Sequence, residues 1–182
     1  SVPKIRRIKT SKLRHMKGRP LTEAEFLSML EATPGVTGEA AAPSWQYLIR
    51  GAWQSGLRLD ELMHVHWTDS RYIVPMWSAD RLPVLQIPAS QQKNFTEESI
   101  PLLPWFEQVL LETPKENRDG WAFNPVSLQG RLGRGVRHGR PDSEWVGKIL
   151  SRIGKAAGVI VRADTKPPKY ASAHDFRRSL AE

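Results

Sequence analysis

Two apolar helical segments joined by a short turn constrain this chain more than any other part of its sequence. The first segment carries apolar side chains at the spacing of one buried helical face: Trp45, Leu48, Ile49, Ala52 and Trp53. Gly56 supplies the stop that is expected just past a helix C-terminus. The apolar pattern then resumes with Leu59, Leu62 and Met63. The sequence therefore predicts a helix, a turn and a second helix.

Arg58 lies at this turn, where the second helix starts, and Glu61 follows it within side-chain reach. At such a position, an arginine paired with a glutamate can serve as a cation that is held in a fixed place for function. An exposed ion pair has the same spacing, and most such pairs are solvated and weak. The two residues alone leave both interpretations open.

The composition fits one domain with a sizeable core, since 40% of the 182 residues are hydrophobic. The chain has no cysteine, which excludes a disulfide framework and thiolate chemistry and makes a cytoplasmic protein the simplest expectation. No apolar run is long enough for a membrane span or the core of a signal peptide.

Positive charge is concentrated at the two ends of the chain. The net charge is +8, and the first 20 residues contain eight basic residues and no acidic residue. Residues 21–130 contain 7 basic and 14 acidic residues, whereas residues 131–182 contain 12 basic and 5 acidic residues. This asymmetry suggests a polyanion that both ends contact. Nucleic acid is the leading candidate, with a solvated tail or an anionic membrane as alternatives.

Residues 1–20 lack helical or strand periodicity and are predicted to form a basic arm or linker before a domain over residues 21–182. The candidate phosphate contacts in this arm are Arg6, Arg7, Lys12 and Arg14. Disorder is the alternative interpretation of the same residues.

A stretch rich in glycine and arginine, residues 117–141, is the second candidate for phosphate contact. Its arginines recur every three residues with glycines between them: Arg131, Arg134, Arg137 and Arg140. The pattern favours a flexible loop against phosphates, and a disordered loop has the same composition. It is not a nucleotide-binding loop, because the Walker lysine and hydroxyl and the third glycine of the dinucleotide motif are missing.

The first helix of the domain is marked by a capping box. Thr22 and Glu25 have its spacing, and Leu21 and Phe26 can form the hydrophobic staple around it. We expect the core-facing side chains to be Phe26, Leu27 and Leu30. The turn-forming residues at 33–38, which include a proline and two glycines, are predicted to end this helix.

Strand patterns in the middle of the chain predict a small three-stranded antiparallel sheet. The strands are expected at residues 72–74, 82–87 and 99–102, with Lys93 in the last connection. A lysine in such a loop is usually solvated. Pro104 then begins a helix, at the first-turn position that proline tolerates. The fold class is therefore α+β, mainly α-helical.

Two further helices are predicted after the arginine-rich stretch. Ser143 is the expected cap of the first, whose apolar stripe consists of Val146, Ile149, Leu150 and Ile153. Ser172 and Asp175 have the spacing of a capping pair, so the last helix should begin near Ala173. In that helix, Phe176 and Leu180 would face the core. His174 would point elsewhere together with Arg177 or Arg178, and periodicity does not choose between them.

Together these elements resemble the catalytic domain of tyrosine recombinases, the phage integrase family, over most of the chain. Ser55-Gly-Leu-Arg-Leu-Asp-Glu-Leu62 resembles the first arginine box of that family. Ala173-His-Asp-Phe-Arg-Arg-Ser-Leu180 resembles its second box, which is a histidine, two residues and an arginine, and this selects Arg177. Lys93 lies where the family carries a hairpin lysine, and Lys17-Gly-Arg-Pro-Leu-Thr22 is similar to the linker that enters its catalytic domain.

The resemblance implies DNA strand cleavage and rejoining through a 3′-phosphotyrosine intermediate, without a cofactor. It implies that Arg58 and Arg177 stabilise the charge that grows on the phosphate, because guanidiniums bind phosphate oxygens in pairs. It also implies that Lys93 protonates the leaving 5′-oxygen, that His174 assists the nucleophile and that Glu61 orients Arg58. The implied partners are double-stranded DNA and other recombinase protomers in a synaptic assembly. The implied location is the bacterial or phage nucleoid.

The resemblance departs from the family at the nucleophile. The family's tyrosine follows the second box, whereas Tyr170 precedes it, and Tyr47 and Tyr72 are no better placed. The family's amino-terminal DNA-binding domain is also missing. We therefore expect a fragment of a longer recombinase that is inactive by itself.

Three other interpretations stay open. One is a non-catalytic DNA-binding module in which only the basic arm and the arginine-rich stretch matter. Another is a type IB topoisomerase-like domain. The short linker-like start and the form of the two boxes favour an integrase over this interpretation. The last is a metal site at His64 and His66 with His138 or His15, but no carboxylate or cysteine pattern completes a ligand set, so no metal is expected.

Overall fold

The computed structural model describes residues 18–92, 95–126 and 140–180, together with the backbone of residues 136 and 137. The helices in these ranges are α1 (Glu23–Thr37), α2 (Ala42–Ser55), α3 (Leu59–Met63), α4 (Pro104–Leu111), α5 (Ser143–Ala156) and α6 (Ala173–Ser179). One antiparallel sheet has the order β1 (Val74–Ser78), β2 (Arg81–Ile87) and β3 (Glu98–Pro101). Two short pairs consist of β4 (Val136–Arg137) with β5 (Arg140–Pro141) and β6 (Ile160–Arg162) with β7 (Lys169–Tyr170). The predicted α+β class with a three-stranded sheet is confirmed.

The predicted tryptophan helix, α2, is central to the core. Trp45, Leu48 and Ile49 have no solvent exposure, and α2 packs against α1, α4 and α6. Trp53 is half-buried and stacks on Phe26 of α1 with ring centroids 4.6 Å apart. Burying aromatic and aliphatic side chains of this size is the largest favourable contribution to folding. The sequence-predicted stripe is therefore the surface on which the other helices pack.

Helix α2 ends at the predicted glycine. Gly56 adopts a left-handed conformation with φ of 65°, which a residue without a β-carbon adopts at little cost. A β-carbon at this position would lie 2.5 Å from Cδ2 of Leu180. Gly56 is thus favoured by the turn into α3, and a side chain at this position would also displace the Leu180 side chain.

Helix α1 continues beyond the point at which the sequence predicted its end. The Thr22–Glu25 capping box is present, but the helix passes through Pro34 and ends at Thr37, so the prediction of a loop over residues 33–38 was wrong. Proline at position 34 leaves the Leu30 carbonyl without its helical N–H partner. The Gln46 side-chain amide, on α2, donates to that carbonyl at 3.0 Å. A contact from another helix therefore makes the internal proline tolerable.

Two apolar residues predicted to face the core do not do so. Leu27 is 48% exposed and Leu180 is 40% exposed. The buried face of α1 is formed by Phe26, Met29 and Thr33, which leaves Leu27 on the outer side. Leu180 follows the last turn of α6, so its side chain covers Gly56 instead of entering the core. Phe176, as predicted, is fully buried.

The first strand begins later than the sequence predicted. It covers Val74–Ser78 rather than residues 72–74. Ile73 forms a bridge with Val65 and is fully buried, because it belongs to the segment that links α3 to the sheet. Strand β2 pairs with β1 and β3, for example Leu85 with Pro75 and Ile100.

Helix α5 has the predicted apolar stripe but a different cap. Val146, Ile149, Leu150 and Ile153 are buried. The cap is Asp142, whose carboxylate accepts the Trp145 N–H at 2.8 Å, so the assignment of Ser143 was wrong. Ser143 is the first helical residue, and its hydroxyl donates to Asp60 Oδ1 at 2.8 Å. None of the helices in the described ranges is long and apolar enough to cross a membrane.

Candidate active site

Arg58 is held in place by Glu61 through two contacts. The Arg58 backbone N–H donates to Glu61 Oε2 at 2.6 Å, and its guanidinium Nη1 donates to Glu61 Oε1 at 2.8 Å. The backbone contact caps the N-terminus of α3, where a negative charge is also favoured by the helix dipole. The Arg58 side chain remains 53% exposed. Glu61 therefore positions both the backbone and the guanidinium of Arg58, and the remaining N–H groups of the guanidinium stay open to solvent.

Arg177 reaches the same carboxylate from α6. Its Nη1 lies 3.9 Å from Glu61 Oε2, and its side chain is 45% exposed. Helix α6 packs against α2, and α3 follows α2 directly. The fold thus brings together two arginines that lie more than a hundred residues apart in the sequence. Both guanidiniums could bind the oxygens of one phosphate, because arginine offers several N–H groups in a fixed plane.

The structure also separates Arg177 from its neighbour Arg178. Arg178 Nη1 donates to Asp175 Oδ1 at 2.5 Å, within one turn of α6. Periodicity alone left both arginines as partners for His174. Of the two, only Arg177 has an ion pair with Glu61 in the structure.

His174 is exposed and borders the same region as Arg58. The two residues line a cleft of about 410 Å³ between α3, α5 and α6, which also includes Asp60, Ser143, Gly147 and Ser172. Arg177 does not line this cleft but reaches Glu61 beside it. The cleft is lined by the Arg58 guanidinium and the His174 imidazole together with the acids Asp60 and Glu144, and the Arg177 guanidinium lies beside it. The guanidiniums can bind an anion, and the imidazole can exchange a proton with it.

A buried acid holds the helix that carries His174 and Arg177. Asp175 has no solvent exposure, and its Oδ2 accepts the Ser172 N–H at 3.0 Å and the Ser172 hydroxyl at 2.7 Å. Lys169 Nζ lies 3.5 Å from the same oxygen. The sequence predicted the Ser172–Asp175 cap, but it did not predict that Lys169 and Arg178 also meet this carboxylate. Spacing in the sequence gives no signal for the contact with Lys169.

Residues 18–21 pack against the same cluster. A β-carbon on Gly18 would overlap the Asp175 carboxylate and lie 2.6 Å from Arg178 Nη1. The Leu21 N–H donates to the Ser179 hydroxyl at 2.7 Å, and Arg19 donates to the Ile160 carbonyl at 2.9 Å. The segment that enters the domain therefore docks on α6 and on β6.

The Arg19 guanidinium also bonds the capping acid of α1. It donates to both Glu25 oxygens, at 2.8 and 2.5 Å, and this contact is the main reason that the pKa of Glu25 falls to about 2. Glu25 therefore stays ionised and keeps its capping contact under mildly acidic conditions.

Several predicted site residues lie outside the described residues. Lys93 is one of them, although the two strands that flank its connection, β2 and β3, pair as predicted. The other residues outside the described ranges are Arg6, Arg7, Lys12, Arg14, Arg131 and Arg134. For Arg137 only the backbone is described, in β4 opposite Arg140. The predicted DNA contacts of these residues stay predictions.

Arg140 has a structural role that its place in the arginine-rich stretch did not indicate. Its guanidinium lies 4.0 Å from the Trp121 ring centroid and donates to the carbonyls of Met63 and Phe123 at 2.6 and 3.1 Å. Burial lowers the pKa of Arg140 to about 10. The sequence interpretation, which grouped it with its neighbours as a phosphate contact, missed this anchor between α3 and the chain before β4.

None of the three tyrosines lines the cleft of Arg58 and His174. The Tyr47 hydroxyl bonds Thr113 Oγ1 at 3.2 Å, and burial raises its pKa. Tyr72 packs against Trp121 with ring centroids 4.4 Å apart, and Tyr170 is paired with Ile160 in β7. Each tyrosine therefore has a packing or pairing role away from the two arginines.

The histidines proposed as an alternative metal site pack around an aromatic cluster. The His66 ring lies 5.0 Å from Trp121 and 5.7 Å from Tyr72, and its Nδ1 accepts the N–H groups of Thr68 and Asp69. No group of three possible metal ligands occurs in the part of the chain that the structure describes. His15 and His138 lie outside that part.

Comparison with known proteins gives matches at the level of structure. The sequence matches no protein-family model, and a comparison with curated proteins finds no significant match. The lambda integrase catalytic core matches with a TM-score of 0.58 and 18% identity, over 91% of this chain and 81% of that one. A lambda integrase dimer bound to a COC′ core site matches with a TM-score of 0.58 and 17% identity, over 94% of this chain.

The chain spans about half of that longer integrase chain, 51% of its length. XerA recombinase aligns over 90% of this chain with 16% identity, but its TM-score of 0.49 is too low to support an argument. The two integrase matches agree with the sheet and helices described above. This chain has the fold of the tyrosine recombinase catalytic core.

Proposed function

We propose that this chain is the phosphate-binding part of a site-specific DNA recombinase that cleaves and rejoins strands through a 3′-phosphotyrosine intermediate. The observation that carries the proposal is the convergence of Arg58 and Arg177 on Glu61, at 2.8 and 3.9 Å. Both arginines keep about half of their side-chain surface open to solvent, at 53% and 45%. The group suits recognition of one phosphate.

The two neighbouring guanidiniums suit a phosphodiester as the ligand. Arg58, Arg177 and Glu61 together carry one net positive charge, and the acids Asp60 and Glu144 also line the cleft. During attack by a nucleophile, further charge develops on the non-bridging oxygens. Positioned guanidiniums stabilise this charge without reorganisation, and removal of one such donor typically costs about 3–4 kcal/mol in the transition state. Glu61 hydrogen-bonds Arg58 and lies 3.9 Å from Arg177, so both cations keep N–H groups for the phosphate.

The remaining roles belong to His174 and Lys93. His174 borders the cleft beside Arg58, where an imidazole can bond a phosphate oxygen or exchange a proton with the nucleophile. We propose that Lys93, in the connection between β2 and β3, protonates the leaving 5′-oxygen. A lysine ammonium group can donate a proton to an oxygen that leaves a phosphate.

None of the tyrosines of this chain is proposed as the nucleophile. Tyr47, Tyr72 and Tyr170 are engaged elsewhere, so the chain alone should form no covalent link to DNA. We propose that the nucleophile is supplied by another segment or another protomer of the assembly. The basic residues of the arm and of the arginine-rich stretch are proposed to contact the DNA backbone, in the cytoplasm at the nucleoid.

A double-mutant cycle on DNA binding tests the proposal. Arg58→Gln, Arg177→Gln and the double variant are compared with wild type by fluorescence anisotropy on a labelled duplex. If both arginines bind one phosphate, the losses should be non-additive by about 0.5–3 kcal/mol, as for residues that share a partner. As a control, Arg58→Gln combined with Arg152→Gln on the exposed face of α5 should be additive within about 0.5 kcal/mol.

Additive losses for Arg58 and Arg177, or no loss at all, would contradict the proposal. The second outcome would favour the non-catalytic binding module, in which binding depends on the basic segments alone. A covalent adduct between the wild-type chain and a suicide DNA substrate would overturn the assignment of the nucleophile to another segment.

A further inference from the structure

A second cluster of cations also borders His174. Arg162, Lys169, His174 and Arg178 line a cleft of about 620 Å³, together with Thr165 and Ser172. His174 borders this cleft and the cleft that contains Arg58. The two volumes are therefore neighbours that share one imidazole.

The second cluster is organised around an acid in the same way as the first. Asp175 is fully buried and bonds Arg178 at 2.5 Å, with Lys169 3.5 Å away. The side chains of Arg178 and Lys169 are 27% and 34% exposed, so their outer N–H groups reach the surface. An arginine bonded to a buried carboxylate loses less conformational freedom when it binds a ligand. Asp175 thus positions two partly exposed cations beside the backbone of Gly18.

Arg162 supplies a third cation from β6. Its guanidinium bonds Asp164 at 2.6 Å, and its side chain is 28% exposed. The three cations and the two acids, Asp164 and Asp175, leave one net positive charge at the cleft before His174 is counted. An anion of one negative charge would balance it, as at the Arg58–Arg177–Glu61 group.

We propose that this cleft binds a second phosphate of the DNA backbone, next to the phosphate held by Arg58 and Arg177. The inference rests on the proposed function and extends it to a further contact on the same strand. His174 and Ser172 line both clefts, so the second cleft is the neighbour of the cleft that contains Arg58. The contact would fix the direction in which the strand crosses the site.

The salt dependence of binding to a mixed-sequence DNA duplex tests this site. The Arg162→Gln/Lys169→Gln variant should lose one phosphate contact, so the slope of log affinity against log salt should become shallower by about 0.9. The matched control is Arg152→Gln/Lys155→Gln, which removes the same charge from the exposed face of α5 and should leave the slope unchanged. If the first variant does not fold, Arg162→Gln alone carries the test, because Arg162 bonds the surface acid Asp164 rather than Asp175.

The outcomes separate this inference from the proposed function. If Arg58→Gln and Arg177→Gln weaken binding but the cleft variant behaves like the α5 control, the second site is refuted and the first stands. If all these variants behave like the control, both are refuted. A cleft variant with a lower thermal midpoint but an unchanged salt slope would show that these cations only hold α6 in place, and this also overturns the inference.

Discussion

Replacement of Asp175 by alanine should destabilise the protein strongly, because this residue joins four groups at the start of α6. Its carboxylate accepts the Ser172 N–H at 3.0 Å, the Ser172 hydroxyl at 2.7 Å and an Arg178 N–H at 2.5 Å, with Lys169 nearby. It has no solvent exposure. Alanine at this position removes the acceptor of the Ser172 N–H at the start of α6. It also removes the carboxylate that Arg178 and Lys169 meet.

The expected loss follows from these contacts. An absent capping contact costs about 1 kcal/mol. A lost hydrogen bond to a charged group costs about 1.5–3 kcal/mol, and the lower end applies because Arg178 and Lys169 are partly exposed and can be hydrated. The free energy of unfolding should therefore fall by about 3 kcal/mol. For a chain of this size that corresponds to a thermal midpoint lower by about 6–12 °C.

Urea titration followed by tryptophan fluorescence measures this loss, and two further variants sharpen it. Asp175→Asn keeps an oxygen for the Ser172 N–H but removes the charge, so it should lose about half as much stability. Glu144→Ala is the matched control, because Glu144 also lies in the first turn of a helix and pairs with Lys148 but is 80% exposed. It should lose less than about 0.5 kcal/mol. Equal losses for Asp175→Ala and Glu144→Ala would refute the reasoning.

Three other substitutions test contacts elsewhere in the fold. Gln46→Ala removes the side-chain donor to the Leu30 carbonyl, so the free energy of unfolding from urea titration should fall by about 1–2 kcal/mol. Arg140→Met removes two hydrogen bonds to carbonyls, so it should cost about 2–3 kcal/mol in the same assay and leave the salt slope of DNA binding unchanged. The pKa of Glu25 is lowered from 4.5 to about 2, chiefly by Arg19. The contribution of ionised Glu25 to the free energy of unfolding should be complete above pH 4.5 and should disappear as the pH falls towards 2. The difference in unfolding free energy between wild type and Glu25→Gln should therefore shrink over that range by about 1 kcal/mol, after allowance for solvent screening.

Each of these predictions has an outcome that would contradict it. Pro34→Ala restores an N–H that can reach the Leu30 carbonyl, so Gln46→Ala should lower the unfolding free energy less in that background. An equal loss in both backgrounds would contradict the proposed role of Gln46. A shallower salt slope for Arg140→Met would make Arg140 a phosphate contact after all. A stability difference that does not change with pH between wild type and Glu25→Gln would show that the Arg19 contact is absent in solution.

Local contacts explain why the sequence predicted most of the helices correctly. The Thr22–Glu25 box, the Gly56 stop and the Ser172–Asp175 pair each involve residues that are close in the chain. A cap of this kind forms in almost any tertiary setting, because it satisfies N–H groups that the helix itself leaves unpaired. The apolar stripe of α2 likewise predicts the helix from its own sequence, because the stripe requires only that one face of the helix is buried.

The errors in the predicted elements come from contacts with distant residues. Pro34 signals a helix end when read locally, and only the Gln46 amide from α2 allows α1 to continue. Leu27 has an apolar side chain like a core residue. The direction in which α1 packs, however, turns Met29 and Thr33 toward the core instead. Packing direction is a property of two elements together, and a single segment does not contain it.

For the candidate site, the sequence by itself determined which residue types occur and in which boxes, and it placed Arg58 beside Glu61 at a helix start. It did not choose between Arg177 and Arg178 by periodicity, and it grouped Arg140 with arginines of a different role. The tertiary structure alone brought Arg177 to Glu61, Lys169 to Asp175 and Arg140 to Trp121, whereas Arg178 meets Asp175 within one turn of α6. The physical reason is that the position of a charged head group depends on the acid or ring it meets, and here most of those partners come from other elements of the fold.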